Sequence, residues 1–374
     1  MQVELGWGPH PLTVWVPPGS TVLTAPPPPP AVDAARAVKA ALEAPVGLPP
    51  LDALLATHRH VCVLIPDATR KGIADAVLPV LLPRLAAAGV RWTVGVATGK
   101  HPPDPGPPGT WVHDARSPDL VPVGFTARGT DVRYPSAVLD ADLRVLVGEV
   151  RPHYFAGYAG GAKLLFPGVA GEAGIWHNHA LKAAAGARLG VVLGNPCRAD
   201  MEAAAAMAGP SFAICGVRRA DGRLVAVEAG DPVGAHRAAV DRARAVFEVP
   251  VCARSPVVLV SDAAPVTTSL YQACKLLPPA GRVLTDGGTI ILAAACDAGL
   301  GPVQVINEAI YRLGVVHALP PRHRVILVSL QPEAAVAATF AEWAPDVPTA
   351  LERAGGGPVL VLPRAGDLVP IPRT

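Results

Sequence analysis

The stretch "VCVLIPDATR", residues 61–70, opens with five apolar residues in a row and closes on an acid, a hydroxyl and an arginine. A strand with one wet face alternates apolar and polar residues. A run that is apolar throughout belongs to a strand covered on both sides, as in a parallel sheet between helices. Similar runs return at "WTVGVAT" (92–98), "LRVLVGEV" (143–150), "LGVVLG" (189–194), "PVVLVSD" (256–262) and "HRVILVSL" (323–330). Helical patterns lie between them: "ADAVLPVLLPRLAAAG" (74–89), "GDPVGAHRAAVDRARAVFE" (230–248) and "GPVQVINEAIYRLG" (301–314). The alternation predicts an α/β protein, and 374 residues exceed one ordinary core, so two α/β domains with mainly parallel sheets are expected. The reading divides the chain into 1–250 and 251–357, joined through the helix near 231–247 and "VPVCARSP", with a C-terminal strand near 358–374 returning to the first domain. "PPPPP" (26–30) reads as an extended surface segment and "PPDPGPPG" (102–109) as a loop.

Composition excludes several classes. No apolar run reaches the roughly 18 residues that a bilayer span requires, so no membrane is expected. A formal charge of +2 without a basic cluster offers nucleic acid no electrostatic footprint. The start, "MQVELGWGPH", has neither the basic nor the apolar region of a signal peptide, which predicts a cytoplasmic protein. Six scattered cysteines without a C-x-x-C pair argue against a zinc ribbon or a disulfide framework. Of the 32 lysines and arginines only six are lysines: Lys39, Lys71, Lys100, Lys163, Lys182 and Lys275. Arginine is the default cation here, and a retained lysine is a candidate for chemistry that needs an amine able to lose its proton or be acylated.

Ligands of open α/β sheets bind beyond the carboxyl ends of the strands. "VLIPDATR" puts Asp67, Thr69 and Arg70 at such an end, "VGVATGKHP" puts His101 at a second, and "VGEVRPHYFAGYAGGAK" puts His153 and Lys163 at a third. Taken singly, Asp67 could cap a turn, Arg70 could be a surface charge and either histidine could be structural. Taken together they form a candidate site. "GYAGGAK" misses the spacing of a phosphate-binding P-loop and has Leu164 where a magnesium-binding hydroxyl would stand, but its glycines, Gly160 and Gly161 among them, let backbone approach a bulky ligand. In "IWHNHALK", His177 and His179 are two residues apart and point about 200° from each other on a helix, so at most one enters the site.

The stretch "HYFAGYAGGAKLLFPGVAGEAGIWHNHAL", with "DATR", "ATGKH" and "YQACK" around it, resembles the lactate racemase family that depends on a nickel-pincer nucleotide, over roughly residues 60–345. The resemblance implies a site in an interdomain cleft and a cofactor-binding first domain. The cofactor is a pyridinium-3-thioamide-5-thiocarboxylic acid mononucleotide, tethered to a lysine, which holds nickel through sulfur, carbon and sulfur. It implies Lys163 as the tether, His179 as the fourth nickel ligand, and His101 and His153 as the two acid–base groups. His177 is left without an assigned role. Arg70, Gln272 and Lys275 would bind the substrate carboxylate, Asp67 and Thr69 would contact the nucleotide or orient Arg70, and Trp343 would lie near the substrate. Gly160 and Gly161 would leave room for the cofactor. The implied partners are a small 2-hydroxy acid and the proteins that make and load the cofactor.

The implied reaction moves the C2 hydrogen as hydride to the cofactor while one histidine takes the hydroxyl proton; the keto acid turns, and both return on the opposite face. Lys100 and Pro102 flank His101 where the family more often has threonine and arginine, which leaves the choice of 2-hydroxy acid open. Two other classes stand beside this one. A histidine-metal hydrolase lacks an H-E-x-x-H motif and gives Lys163 no task, and a silent homologue would bind the nucleotide or a metabolite without racemising it.

Overall fold

The computed structural model describes residues 1–67, 72–101 and 106–373. They fall into two compact units: Pro28–Ala187 with Val191–Val246, and Met1–Pro27 with Arg188–Gly190 and Phe247–Thr374.

The first unit is built on six strands in the order Leu224–Gly230, Ser211–Arg218, Leu143–Glu149, His60–Pro66, Arg91–Ala97 and Thr110–Val112. All neighbours run parallel except the first pair. The central strands are covered on both faces, which is why they read as unbroken apolar runs. Val61, Val63 and Ile65 pack against Val77, Leu81 and Leu85 of the helix Gly72–Ala87 and against Leu42 of the helix Ala34–Glu43. The opposite face carries the turn Gly161–Leu164, and one glycine makes room for it. A Cβ on Gly148 would come within 2.6 Å of Leu164 Cδ2 and 3.3 Å of Gly160 Cα.

The second unit has its own six-stranded sheet, ordered Glu342–Ala344, Arg324–Val328, Leu284–Ala293, Ser255–Val260, Leu360–Leu362 and Thr21–Val22, parallel throughout. Its order corrects the domain reading at both termini. Residues 1–27 belong to this unit because Thr21–Val22 pairs with Leu360–Leu362. The C-terminal segment does not return to the first unit: Leu360–Leu362 bonds to the strand Ser255–Val260, and Val369–Pro372 pairs with Glu248–Val251. The helix Gly234–Phe247 ends at the junction between the units.

"LGVVLG" is no strand, since positive φ at Gly190 and Gly194 (75° and 73°) turns the chain at both glycines. Two further buried strands, Ser211–Arg218 and Leu284–Ala293, lie outside the apolar runs named above. All six cysteines are free thiols, and among the described residues no helix is long and apolar enough to cross a membrane.

Candidate active site

The first unit collects its chemistry beyond the strands His60–Pro66, Arg91–Ala97 and Leu143–Glu149. Asp67 and His101 follow the first two, and Asp67 Oδ2 lies 3.0 Å from His101 Nδ1. A carboxylate at that nitrogen holds the ring proton on Nδ1 and leaves the lone pair at Nε2. The sequence reading had Asp67 serving the nucleotide or Arg70; its pairing with His101 across 34 positions was not foreseen. Thr69 and Arg70 lie outside the described residues.

After the third strand the chain forms a short hairpin in which Pro152–His153 pairs with Gly157–Tyr158. The Ala156 amide donates to His153 Nδ1 at 3.2 Å. An accepting Nδ1 places the proton of a neutral ring on Nε2, the reverse of His101. Phe155, 2 % exposed, is the common wall of this region. Its ring meets His153 edge-on at 4.6 Å between centroids and His179 at 5.0 Å, and Lys163 Nζ is 5.9 Å from its centre. No motif marked Phe155, and an aromatic in "HYFAG" carries no signal beyond core packing.

Lys163 sits in the turn Gly161–Leu164, and a buried network fixes the backbone leading into it. Arg198, fully buried, donates to the carbonyls of Tyr158 and Gly160, the latter at 3.2 Å. His236 Nε2 lies 2.9 Å from the carbonyl of Ala159 and 3.0 Å from the Arg198 guanidinium, and its Nδ1 lies 3.0 Å from Arg237. Gly160 and Gly161 have φ of 83° and 61°, and a Cβ on Gly161 would stand 2.8 Å from His236 Cβ. These glycines meet steric demands of the turn itself.

His179 closes the helix Glu172–Ala180. Its Nδ1 donates to the Ile175 carbonyl at 2.6 Å, which leaves Nε2 as a lone-pair donor. Burial, with Lys100, Lys163 and Lys182 nearby, pushes its pKa well below the usual imidazole range, so the ring is neutral. That is the state in which histidine binds a metal. His177 is exposed on the other side of the helix with Nε2 2.9 Å from the Arg128 carbonyl. The helix is anchored by buried Asn178, whose amide donates to Asp200 at 2.8 Å and to the Cys197 carbonyl at 3.1 Å. The Lys100 ammonium lies 3.4 Å above the Trp176 ring, so the loop bearing His101 reaches the helix bearing His179.

The remaining candidates are in the second unit. Lys275 Nζ donates to Gln272 Oε1, which makes the two side chains a pair. Trp343, in the strand Glu342–Ala344, packs on that unit's core and donates its indole N–H to the Gln331 carbonyl at 3.1 Å.

A family profile described as lactate racemase N-terminal domain matches residues 8–105 and 109–190. The chain is 29% identical over 301 residues to a lactate racemase of Thermoanaerobacterium thermosaccharolyticum, covering 74% of this chain and 68% of that one. It is 29% identical over 289 residues to a lactate racemase of Lactiplantibacillus plantarum, covering 71% and 66%. It thus spans about two thirds of the length of these relatives. Among solved structures, the lactate racemase apoprotein of T. thermosaccharolyticum superposes with a TM-score of 0.88 at 23% identity over 99% of this chain and 100% of that one. A protein of Thermotoga maritima superposes at 0.65 with 14% identity, over 87% and 98%. With that profile over residues 8–190, those relatives and that shared fold, the chain is similar to the lactate racemases in sequence and in architecture.

Proposed function

We propose that this protein racemises or epimerises a 2-hydroxy acid with a lysine-tethered nickel-pincer nucleotide. The observation that carries the reading is the grouping of Lys163, His153 and His179 around Phe155, with the Asp67–His101 pair on a neighbouring strand end. The residues fit such a group. His179 offers a neutral imidazole with its lone pair at Nε2, and Lys163 offers an amine to acylate. Among the described residues no three His, Cys, Asp or Glu side chains converge to cage a metal, so a metal at His179 would arrive with its other donors. When bound, the cofactor would supply a reversible acceptor for the C2 hydrogen.

The chain's own residues would do the rest. His101, held by Asp67, takes the hydroxyl proton at Nε2. His153 presents an N–H at Nε2 and returns a proton to the oxygen once its ring carries a second one, which requires the Ala156 amide to release Nδ1. In the second unit Lys275 and Gln272, paired by a hydrogen bond, are a charged and a neutral donor of the kind a carboxylate takes.

The test follows C2-deuterated lactate and other 2-hydroxy acids in ordinary water with cofactor-loaded enzyme. Retention of deuterium in the opposite enantiomer is expected, because a transferred hydride does not mix with solvent. Extensive solvent hydrogen at C2 would mean deprotonation to an enolate and would overturn the proposal.

A further inference from the structure

His177, Asn178 and His179 stand in the last turn of the helix Glu172–Ala180. Among the described residues the His179 ring is hydrogen-bonded only within its own helix, at the Ile175 carbonyl, so the direction of its Nε2 depends on how the helix is held. Its two neighbours do the holding. His177, exposed and so far without a role, places Nε2 2.9 Å from the Arg128 carbonyl. Asn178, fully buried, gives one amide hydrogen to the Cys197 carbonyl at 3.1 Å and the other to Asp200 Oδ2 at 2.8 Å.

Both contacts lead to one carboxylate. Asp200, 2 % exposed in the helix Pro196–Ala206, accepts from Thr126 through Oδ1 at 2.6 Å and from Thr130 through Oδ2 at 2.7 Å. These threonines close the turn that carries Arg128, between the strands Leu120–Phe125 and Asp131–Pro135. Thr126 Oγ1 in turn accepts the amides of Arg128 and Thr130, each at 3.2 Å. The helix Glu172–Ala180 lies so close to this hairpin that a Cβ on Gly174 would overlap the Asp131 carbonyl.

Among the described residues all donors to Asp200 are neutral, and no cation pairs with it. A buried carboxylate without a cation is costly. The donor set shows why an amide could not replace it. Two donors converge on Oδ2, so an NH2 there would face the Asn178 NH2. An NH2 at Oδ1 would be a third donor to Thr126 Oγ1, which has two lone pairs. Only a group that accepts on both oxygens keeps the turn, the helix Pro196–Ala206 and Asn178 together.

We propose that Asp200 is a positioning residue for His179: through Asn178, and through the Thr126–Thr130 turn and His177, it fixes the direction in which His179 Nε2 presents its lone pair. The proposal rests on the reading of His179 as the nickel ligand only for what that lone pair meets. Groups that orient a metal-binding imidazole from outside are worth about 10–100-fold in metal affinity.

The experiment labels the histidines of the full chain isotopically and, without cofactor, follows solvent exchange of the imidazole N–H groups by NMR. The His179 Nδ1–H signal is the one missing in His179→Gln. In Asp200→Asn that proton should exchange about tenfold faster or more, as the helix opens locally. The Nε2–H of His113, buried in the same unit on the Ala170 carbonyl at 3.0 Å, should exchange as in the wild type. Thr126→Val should act the same way from the side of the turn, and it carries the test if Asp200→Asn does not fold. Thr126→Ser, which keeps the hydroxyl, should keep the slow exchange. In cofactor-loaded protein a chelator should strip nickel from Asp200→Asn about tenfold faster, with the mass of the Lys163 adduct unchanged. Unaltered His179 exchange in Asp200→Asn overturns the proposal. So does equal acceleration at His113, or loss of adduct and nickel together, either of which would make Asp200 a general stabiliser of the unit. If the wild type takes up no nickel, the metal reading of His179 falls, and the exchange rates still decide whether Asp200 holds its ring.

Discussion

The ring of Phe155 meets the ring of His179 edge to face, centroids 5.0 Å apart and planes at 66°, and meets His153 the same way at 4.6 Å. One apolar side chain thus sets the separation of two histidines that lie 26 positions apart in the chain. Phe155→Leu keeps an apolar filler but loses both edges. It should cost about 1 kcal/mol of stability by denaturant unfolding and a much larger share of the nickel retained after loading. Nickel retention equal to wild type would remove Phe155 from the site's architecture.

Lys163 is expected to carry the tether. After co-expression with the cofactor-synthesis proteins, peptide mass mapping should find added mass at Lys163 and at no other lysine. Lys163→Arg, which preserves charge but resists acylation, should take up neither the adduct nor nickel. An active protein with unmodified Lys163 would refute the assignment.

Asp67 orients His101 across a 3.0 Å contact. Asp67→Asn removes the charge that fixes the ring proton on Nδ1, and turnover should fall by about 10²-fold, within the range for a positioned acid–base group. The KM should change little, because the substitution acts through His101. A variant that shifts KM alone would place Asp67 among the binding groups instead.

The turn before Lys163 leaves no room for a side chain. Gly161→Ala would force a residue at φ 61° into contact with His236 Cβ, and a loss of about 1–3 kcal/mol is expected. Arg198→Met should cost a similar amount, since the carbonyls of Tyr158 and Gly160 lose their buried donor. Urea midpoints of the two variants measure both.

Acid should loosen the first unit through buried His113, whose pKa burial lowers to about 4 although its Nε2 donates to the Ala170 carbonyl at 3.0 Å. The unfolded chain takes up that proton near pH 6.5 and the folded one only near 4. Stability contributed by the neutral ring is therefore intact above 6.5 and drains as pH falls towards 4, by at most about 3 kcal/mol. Melting temperatures across that window should fall less steeply for His113→Gln, which stays neutral throughout.

The sequence by itself determined the layers and nominated the residues proposed to carry the chemistry. A run such as "VCVLI" can only be buried on both faces, and a lysine kept in a chain that prefers arginine marks an amine, because both signals reside in the residues themselves. Tertiary structure decided the pairings. Nothing local joins Asp67 to His101, sets Phe155 against His153 and His179, or sends Arg198 under the carbonyls of Tyr158 and Gly160, because each contact depends on which strands become neighbours in the sheet. The termini were misread for the same reason. Thr21–Val22 is two residues long and has no periodicity to detect, and it becomes a strand only where Leu360–Leu362 offers it an edge. "LGVVLG" failed in the opposite sense: its apolar content suits a strand, but left-handed backbone at Gly190 and Gly194 is incompatible with an extended run, and φ follows from packing rather than hydrophobicity.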